Sequence, residues 1–407
     1  MAELKPFKAL RYKWHVLSDV ICPPYDIISN EMKNDLVNIS KFNMVNIEVP
    51  IASTTQANPY IQASNLLHSW QIDKILLRDQ KPSLYFYEQI FEHNGIKITR
   101  RGFFSLLKID NNFVKQHEQT IEKHQTDRLD LLRTTKANTS PIFVLFEDTT
   151  NVIVNICIEI AKKLPQAIAR DHNGTFHKLW VIYDEKIIYL ILEYFRSKIV
   201  FIADGHHRYK TACIYKNTEM LKNANSIVNT KHPYDYILAY FCPMEDPGIL
   251  ILPTHRVLDI PLNIEQTITK YFDIYNTTRD FNKALYKLSD DTQSLMVFLN
   301  GTFRIITIKK KSLLKQFMPN KSQSYRNLAV SILHNILVQN LKATQFIYVK
   351  SDKEALLLAR KTGKMAVIVP SVPIKCLKDI SLHNEMMPQK STYFYPKIAS
   401  GIVIRTL

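Results

Sequence analysis

The chain reads IADGHHRYKTA over residues 202–212, and this stretch decides how the rest of the sequence is interpreted. Residues 198–202 are largely apolar, so the segment predicts a buried strand that ends at Asp204-Gly205 and is followed by a helix. A strand that enters a helix through a glycine directs the free amides of the first turn at one point, where the helix dipole favours negative charge. Four basic or titratable side chains crowd the same turn: His206, His207, Arg208 and Lys210. The turn therefore predicts an anion site, with phosphate as the leading candidate.

An alternative interpretation of this turn is a salt-bridged helix start with two surface histidines. Asp204 is a good N-cap in either case, because its carboxylate can accept the free amides of the first turn. Basic groups near a helix N-terminus oppose the dipole. Stability alone would place acids there and bases at the other end, so the anion site is favoured.

Whole-chain composition is that of an ordinary globular protein, with 407 residues, 46% hydrophobic and 22% charged. No apolar run approaches the roughly 20 residues of a membrane span, and the N-terminus lacks a signal-peptide core. Five cysteines without a CxxC pair indicate a reducing compartment, so we expect a cytoplasmic protein. The net charge of +16 comes from scattered lysines, which favours a solvated surface over a nucleic-acid-binding tail.

Three Asn-Gly pairs predict tight turns between strands. Asn94-Gly95 lies between strand-like runs, Asn173-Gly174 precedes the strand-like residues 176–183, and Asn300-Gly301 joins 295–299 to 303–308. Helical spacing over 118–135, 152–163, 323–341 and 353–361 completes the pattern. The sequence therefore predicts an α+β (mixed α/β) fold with much antiparallel sheet. We expect a core over residues 1–260 with an insertion near 80–195, and a C-terminal α/β domain over 261–407.

Residues 117–124 read HEQTIEKH and suggest a metal site. On a helix, His117 and His124 would lie about 10.5 Å apart along the axis. That is too far to share a zinc ion, and the HExxH spacing is not met. His124 would share a helical face with Asp127 and Arg128, where a surface ion-pair cluster and a functional site both remain open.

Two further segments carry candidate binding residues. Thr254, His255 and Arg256 follow a buried strand, where a catalytic group and a capped turn look the same. Residues 387–397 read MPQKSTYFYPK and combine aromatic residues with hydroxyls and lysine. Composition alone makes this segment a packed loop, with Lys390 and Ser391 as candidate phosphate ligands.

The chain is identified as a member of the bacterial and archaeal domain-of-unknown-function family numbered 1015. The resemblance runs nearly end to end through KPFKALRY, CPPYDIIS, HEQT, DRLDLLR, ANTSPIF, HKLW, ADGHHRYKTA, ILPTHR and MPQKSTYFYPK. Members often carry Pro-Lys before the Asp-Arg pair, where this chain has His124-Gln125. If that lysine contacts phosphate in relatives, Gln125 cannot do so by charge.

ADGHHR is also similar to the phosphate-binding turn of the ParB/sulfiredoxin superfamily. That resemblance implies a ParB/sulfiredoxin-like nucleotide-binding core. The superfamily includes CTP hydrolases, ATP-dependent sulfiredoxin and kinases that act on free serine. Family 1015 genes often lie near serine-biosynthesis genes, which implies a small-metabolite role.

We therefore expect a nucleotide-binding phosphotransferase, a free serine-type kinase that uses ATP or ADP with Mg²⁺. The amides of Gly205 to His207 would hold phosphate, and Arg208 would neutralise the transferred group. Asp204 would bind Mg²⁺ or orient the acceptor, and His206 or His207 would polarise the leaving oxygen. Glu118 is the candidate base. The remaining candidates for phosphate or nucleotide binding are Lys210, Arg128, His255, Arg256, Lys390, Ser391 and His117.

Two other function classes remain open. A ParB-like NTP-hydrolysing switch associated with nucleic acid would need a helix-turn-helix module, and residues 323–341 are not a convincing one. A non-catalytic metabolite-binding protein would bind nucleotide without turning over any substrate. We expect a small-molecule partner and no membrane association, and the sequence leaves the oligomeric state open.

Overall fold

The computed structural model describes residues 1–51, 58–119, 122–222, 232–289 and 293–407. The chain forms two units. The first comprises Met1–Lys115, Thr120–Ile249 and Pro396–Leu407, and the second comprises Gln116–Gln119 and Leu250–Tyr395. Both units are discontinuous, because residues 116–119 belong to the second unit and residues 396–407 belong to the first.

A mixed nine-stranded sheet forms the centre of the first unit. Its neighbours run parallel in two pairs, Val200–Asp204 with Val114–Lys115 and Tyr236–Pro243 with Ile142–Phe146, and antiparallel in the others. The strand order across the sheet is Val114–Lys115, Val200–Asp204, Ile142–Phe146, Tyr236–Pro243, Ile96–Lys108, Leu84–His93, Phe176–Ile182 and Ala167–Arg170, with Leu4–Lys5 beside Ile96–Lys108. The α+β prediction is confirmed.

Helices and short strand pairs complete the first unit. Apolar faces of the helices pack on the sheet, for example through Ile153, Ile191 and Tyr209. The helices are Leu17–Val20, Asn30–Ile39, Val45–Glu48, Pro59–Ile72, Glu122–Thr135, Val152–Ala161, Glu185–Phe195 and His206–Lys222. Two small sheets pair Leu10–Tyr12 with Leu76–Arg78 and Ala137–Asn138 with Arg405–Thr406.

An antiparallel six-stranded sheet forms the second unit, with two apolar clusters built on its strands and helices. Its strand order is Phe272–Thr278, Thr302–Ile308, Leu295–Leu299, Met365–Ile368, His255–Leu258 and Ile347–Val349, and Leu250–Leu252 pairs separately with Tyr393–Tyr395. The helices are Ile264–Tyr271, Phe281–Ser289, Lys311–Phe317, Gln323–Arg326, Ala329–Ile332, Leu333–Val338 (a π-helix), Gln339–Leu341, Asp352–Thr362 and Ile374–Leu382.

The three Asn-Gly turns are confirmed, since each joins two paired antiparallel strands. Two helix predictions were wrong in their extent. The predicted helix over 323–341 is interrupted because Leu328 is extended and caps a new helix. The predicted helix over 118–135 begins only at Glu122. Glu118 instead forms a parallel bridge with Met387. Residues 120–121 and the side chain of His124 lie outside the described part.

Within the described residues, every helix is too short or too polar to cross a membrane.

Substitution of Gly102 tests how tightly the central sheet is packed. A Cβ on Gly102 would lie 2.1 Å from the carbonyl oxygen of Phe241 on the neighbouring strand. Because that obstacle is backbone, we expect Gly102→Ala to lower the unfolding free energy by about 3 kcal/mol or more. Gly95→Ala is the control, because its Cβ would meet nothing within 4 Å; only backbone strain of about 1 kcal/mol should result. Equal losses in urea unfolding would contradict this account.

Candidate functional site

The predicted strand and helix are both present around the turn. Val200–Asp204 ends in the sheet, and His206–Lys222 follows it directly. Gly205 joins them with a φ of +89°, and a Cβ there would lie 3.1 Å from Arg208 Nε and Nη2 and from Ile142 Cγ2. Glycine is favoured here because L side chains rarely adopt this φ, and a Cβ would also press on the Arg208 guanidinium, which folds back over the turn.

Asp204 holds two cations at the turn. Its Oδ2 accepts from Arg208 Nη2 at 3.0 Å, and its Oδ1 pairs with Lys397 Nζ. Burial alone would raise the pKa of Asp204, but the charges of Lys397 and Arg208 outweigh it and hold the pKa well below its usual range. One carboxylate thus faces two positive charges at the positive end of a 17-residue helix.

Arg208 is held in place through two of its three guanidinium nitrogens. Its Nη1 donates to the carbonyl of Pro141, and its Nη2 donates to Asp204. Its Nε is buried and has no hydrogen-bond partner among the described residues. A buried N–H without a partner costs free energy, so this donor marks a place for an acceptor.

Lys397 is a site residue that the sequence analysis missed. It ends the MPQKSTYFYPK segment, in which Lys390 and Ser391 are the predicted phosphate ligands. Two sheet residues hold the backbone at this position. Gln89 Nε2 donates to the carbonyl of Lys397 at 3.1 Å, and Arg100 donates to the carbonyl of Pro396. Both Gln89 and Arg100 are fully buried, so the position of Lys397 is set by the sheet.

The other residues of the first turn differ in their surroundings. His206 is buried, and burial lowers its pKa to about 3, so the imidazole is neutral at physiological pH. His207 is half-buried, and Lys210 is exposed. A neutral His206 can donate or accept a hydrogen bond with a ligand, but it carries no positive charge.

Arg128 is brought close to Arg208 in the first unit. Both line a cavity of about 40 Å³, together with Glu48, Thr139 and Ser140. Arg128 is buried and pairs with Glu48 at 3.3 Å and with Asp127 at 2.6 Å. Its guanidinium also lies 4.1 Å from the centre of the Tyr25 ring. Both ion pairs hold Arg128 in place at the cavity wall.

His117 and Glu118 lie in the second unit and are joined there to the predicted lysine loop. The carbonyl of His117 accepts from the amide of Met387 at 2.7 Å, and its Nε2 lies 3.2 Å from Thr392 Oγ1. Glu118 Oε1 accepts from the amide of Lys390 at 3.2 Å. These contacts fix the loop from 387 to 392.

Arg256 holds the same loop from another direction in the second unit. It is fully buried, and its Nη2 donates to the carbonyls of Gln389 and Lys390 at 3.1 and 3.3 Å. Burial lowers the pKa of Arg256 to about 10 and that of His255 to about 3. Ser391 Oγ donates to the carbonyl of Pro388. Phosphate binding by these residues stays a prediction.

The predicted role of Asp204 as a Mg²⁺ ligand stays a prediction. Both of its oxygens are taken by side-chain cations. A magnesium ion bound there would meet the positive charge of both Arg208 and Lys397.

A family model described as "Protein of unknown function (DUF1015)" matches residues 4–344. The chain therefore belongs to this family, which confirms the predicted membership. No curated protein matches the chain.

Several solved structures resemble the chain over 74% of its length. A conserved hypothetical protein from Pyrococcus furiosus is 13% identical, with a TM-score of 0.37 and 94% of that chain covered. A free serine kinase in complex with AMP is 13% identical, with a TM-score of 0.37 and 92% covered. SbnI with a C-terminal truncation, from Staphylococcus aureus, is 8% identical, with a TM-score of 0.36 and 86% covered.

The charge of Asp204 makes the stability of the first unit depend on pH. Its folded-state pKa is lowered, so its contribution is fully present above the unfolded value of about 3.9 and is lost as the pH falls below it. We expect Asp204→Asn to cost most above about pH 5, and the cost to shrink from about pH 4 towards pH 2. Urea unfolding across this range measures it, and a cost that does not change with pH would contradict the pairing.

His206 gives a second test of burial at the turn. Because burial holds its pKa at about 3, the Cε1 proton resonance, assigned with His206→Gln, should not shift between about pH 5 and pH 8. A titration midpoint near the ordinary value of about 6.5 would show that the imidazole is solvated.

Proposed function

We propose that the turn from Ala203 to Arg208 binds the phosphate groups of ATP or ADP and that the protein is a small-metabolite kinase. The observation that carries this proposal is the excess of positive charge at the turn. Arg208 and Lys397 share the single carboxylate of Asp204 at the N-terminus of the helix His206–Lys222. A protein that needed only a stable helix would place acids there.

The parts of the turn support distinct roles with phosphate. The start of a helix favours phosphate through its dipole, and the Nε of Arg208, which has no hydrogen-bond partner among the described residues, supplies a further charge-assisted donor. Lys397 adds a second charge, and Asp204 keeps both cations aimed at the turn before the ligand arrives. Such preorganised charge is what phosphoryl transfer requires most.

The transfer itself exchanges one P–O bond for another. The acceptor hydroxyl oxygen bonds to the terminal phosphorus while the bridging bond to the nucleotide breaks, and the hydroxyl proton leaves to a carboxylate base. Bound Mg²⁺ would neutralise phosphate charge. A serine-type hydroxylated metabolite is the acceptor that we propose.

Arg208→Gln and Lys397→Met test the phosphate site by removing one charge each. We expect each substitution to weaken ADP binding by roughly 10- to 100-fold, because a hydrogen bond to a charged group contributes about 1.5–3 kcal/mol. Isothermal titration with ADP and Mg²⁺ measures the change.

Lys222→Met is the control, because Lys222 lies at the far end of the same helix and is exposed. Its affinity for ADP should equal that of the wild type. A wild-type protein that binds neither ATP nor ADP would overturn the proposal, as would variants that bind ADP as tightly as the wild type.

A further inference from the structure

We propose that the cavity between Arg208 and Glu48 is the acceptor subsite and that it takes the primary ammonium group of a small amino alcohol. This inference rests on the proposed kinase function, which it deepens by naming the chemistry of the acceptor. The cavity lies in the first unit, and its wall includes Glu48, Arg128, Thr139, Ser140 and Arg208.

Glu48 Oε1 is the hydrogen-bond acceptor that we expect a ligand to contact. The residue is 1% exposed, and its Oε2 pairs with Arg128. Its Oε1 is buried and has no hydrogen-bond partner among the described residues. A buried carboxylate oxygen can only accept, so whatever occupies the cavity must present N–H or O–H to it.

The charged side chains around the cavity determine whether it favours an anion or a cation. Arg128 is shared by two carboxylates, Glu48 and Asp127, which leaves an excess of one negative charge at that end. Asp127 is partly exposed, so solvent screens part of its charge. At the other end, Arg208 and Lys397 share Asp204, which leaves an excess of one positive charge. The Glu48 end therefore selects a cation, and the turn selects phosphate.

Size limits the group that can enter. A volume of about 40 Å³ holds about three water-sized groups, which suits an aminoethyl group and excludes a nucleobase. Thr139 and Ser140 are buried residues of the wall, and each carries a hydroxyl. Arg208 contacts both the cavity and the turn, so an acceptor held at Glu48 would lie beside the phosphate.

Glu48→Gln tests the subsite, because it keeps the shape and removes the charge. We expect the KM for phosphorylation of ethanolamine to rise roughly 10- to 100-fold, with the Kd for ADP unchanged. 1-Propanol, which carries a methyl group in place of the ammonium group and has no donor for Glu48, should be used equally by both proteins. Ser140→Ala, a smaller change in the same wall, should raise the KM for ethanolamine several-fold without loss of stability.

Glu88→Gln is the matched control, because Glu88 is also buried and ion-paired, with Arg101 and Lys178, and does not line the cavity. The inference is overturned if Glu48→Gln affects ethanolamine no more than Glu88→Gln does, or if it affects 1-propanol as much as ethanolamine. In those cases water fills the cavity.

Direct binding separates failure of this inference from failure of the kinase proposal. Ethanolamine is titrated without nucleotide, and the Ser140 and Arg208 amide resonances are followed. Shifts in the wild type that disappear in Glu48→Gln support the subsite even if ADP does not bind. If ADP binds and no such shifts occur, the subsite is wrong and the phosphate site stands.

Discussion

The site of the first unit depends on one carboxylate, Asp204, that holds two cations at the positive end of a helix. Without it, Arg208 and Lys397 would repel each other and would oppose the dipole of the helix His206–Lys222. With it, the cations stay close together and retain a net positive charge. Repulsion between the two cations and the positive end of the helix therefore remains, and a bound phosphate group would reduce it.

The rest of the first unit positions these charges. Gly205 lets the Arg208 guanidinium lie over the turn. The carbonyl of Pro141 accepts from the same guanidinium. Gln89 and Arg100, both buried in the sheet, hold the backbone on either side of the Pro396-Lys397 peptide. The sheet therefore fixes the backbone, and Asp204, Arg208 and Lys397 supply the charges. Preorganised sites combine a rigid scaffold with charged side chains in this way.

Local patterns were enough to predict much of this structure. Asn-Gly pairs specify tight hairpins, and an apolar run followed by Asp-Gly specifies the strand and helix at the site, since each depends on nearest neighbours alone. Lys397 could not be found in this way, because its partner Asp204 is distant in sequence and only the fold joins them. Glu48 was missed for the same reason. It lies in the short helix Val45–Glu48, where nothing in the local sequence indicates a buried carboxylate facing a cavity.

The most direct measurement of the central claim follows the backbone amides of Gly205, His206 and His207 by NMR during titration with ADP and, separately, with adenosine. Our account predicts that ADP shifts these amide resonances strongly and that adenosine leaves them in place, because the phosphates bind at the turn. Shifts of equal size with adenosine, or ADP-induced shifts confined to other parts of the chain, would contradict it.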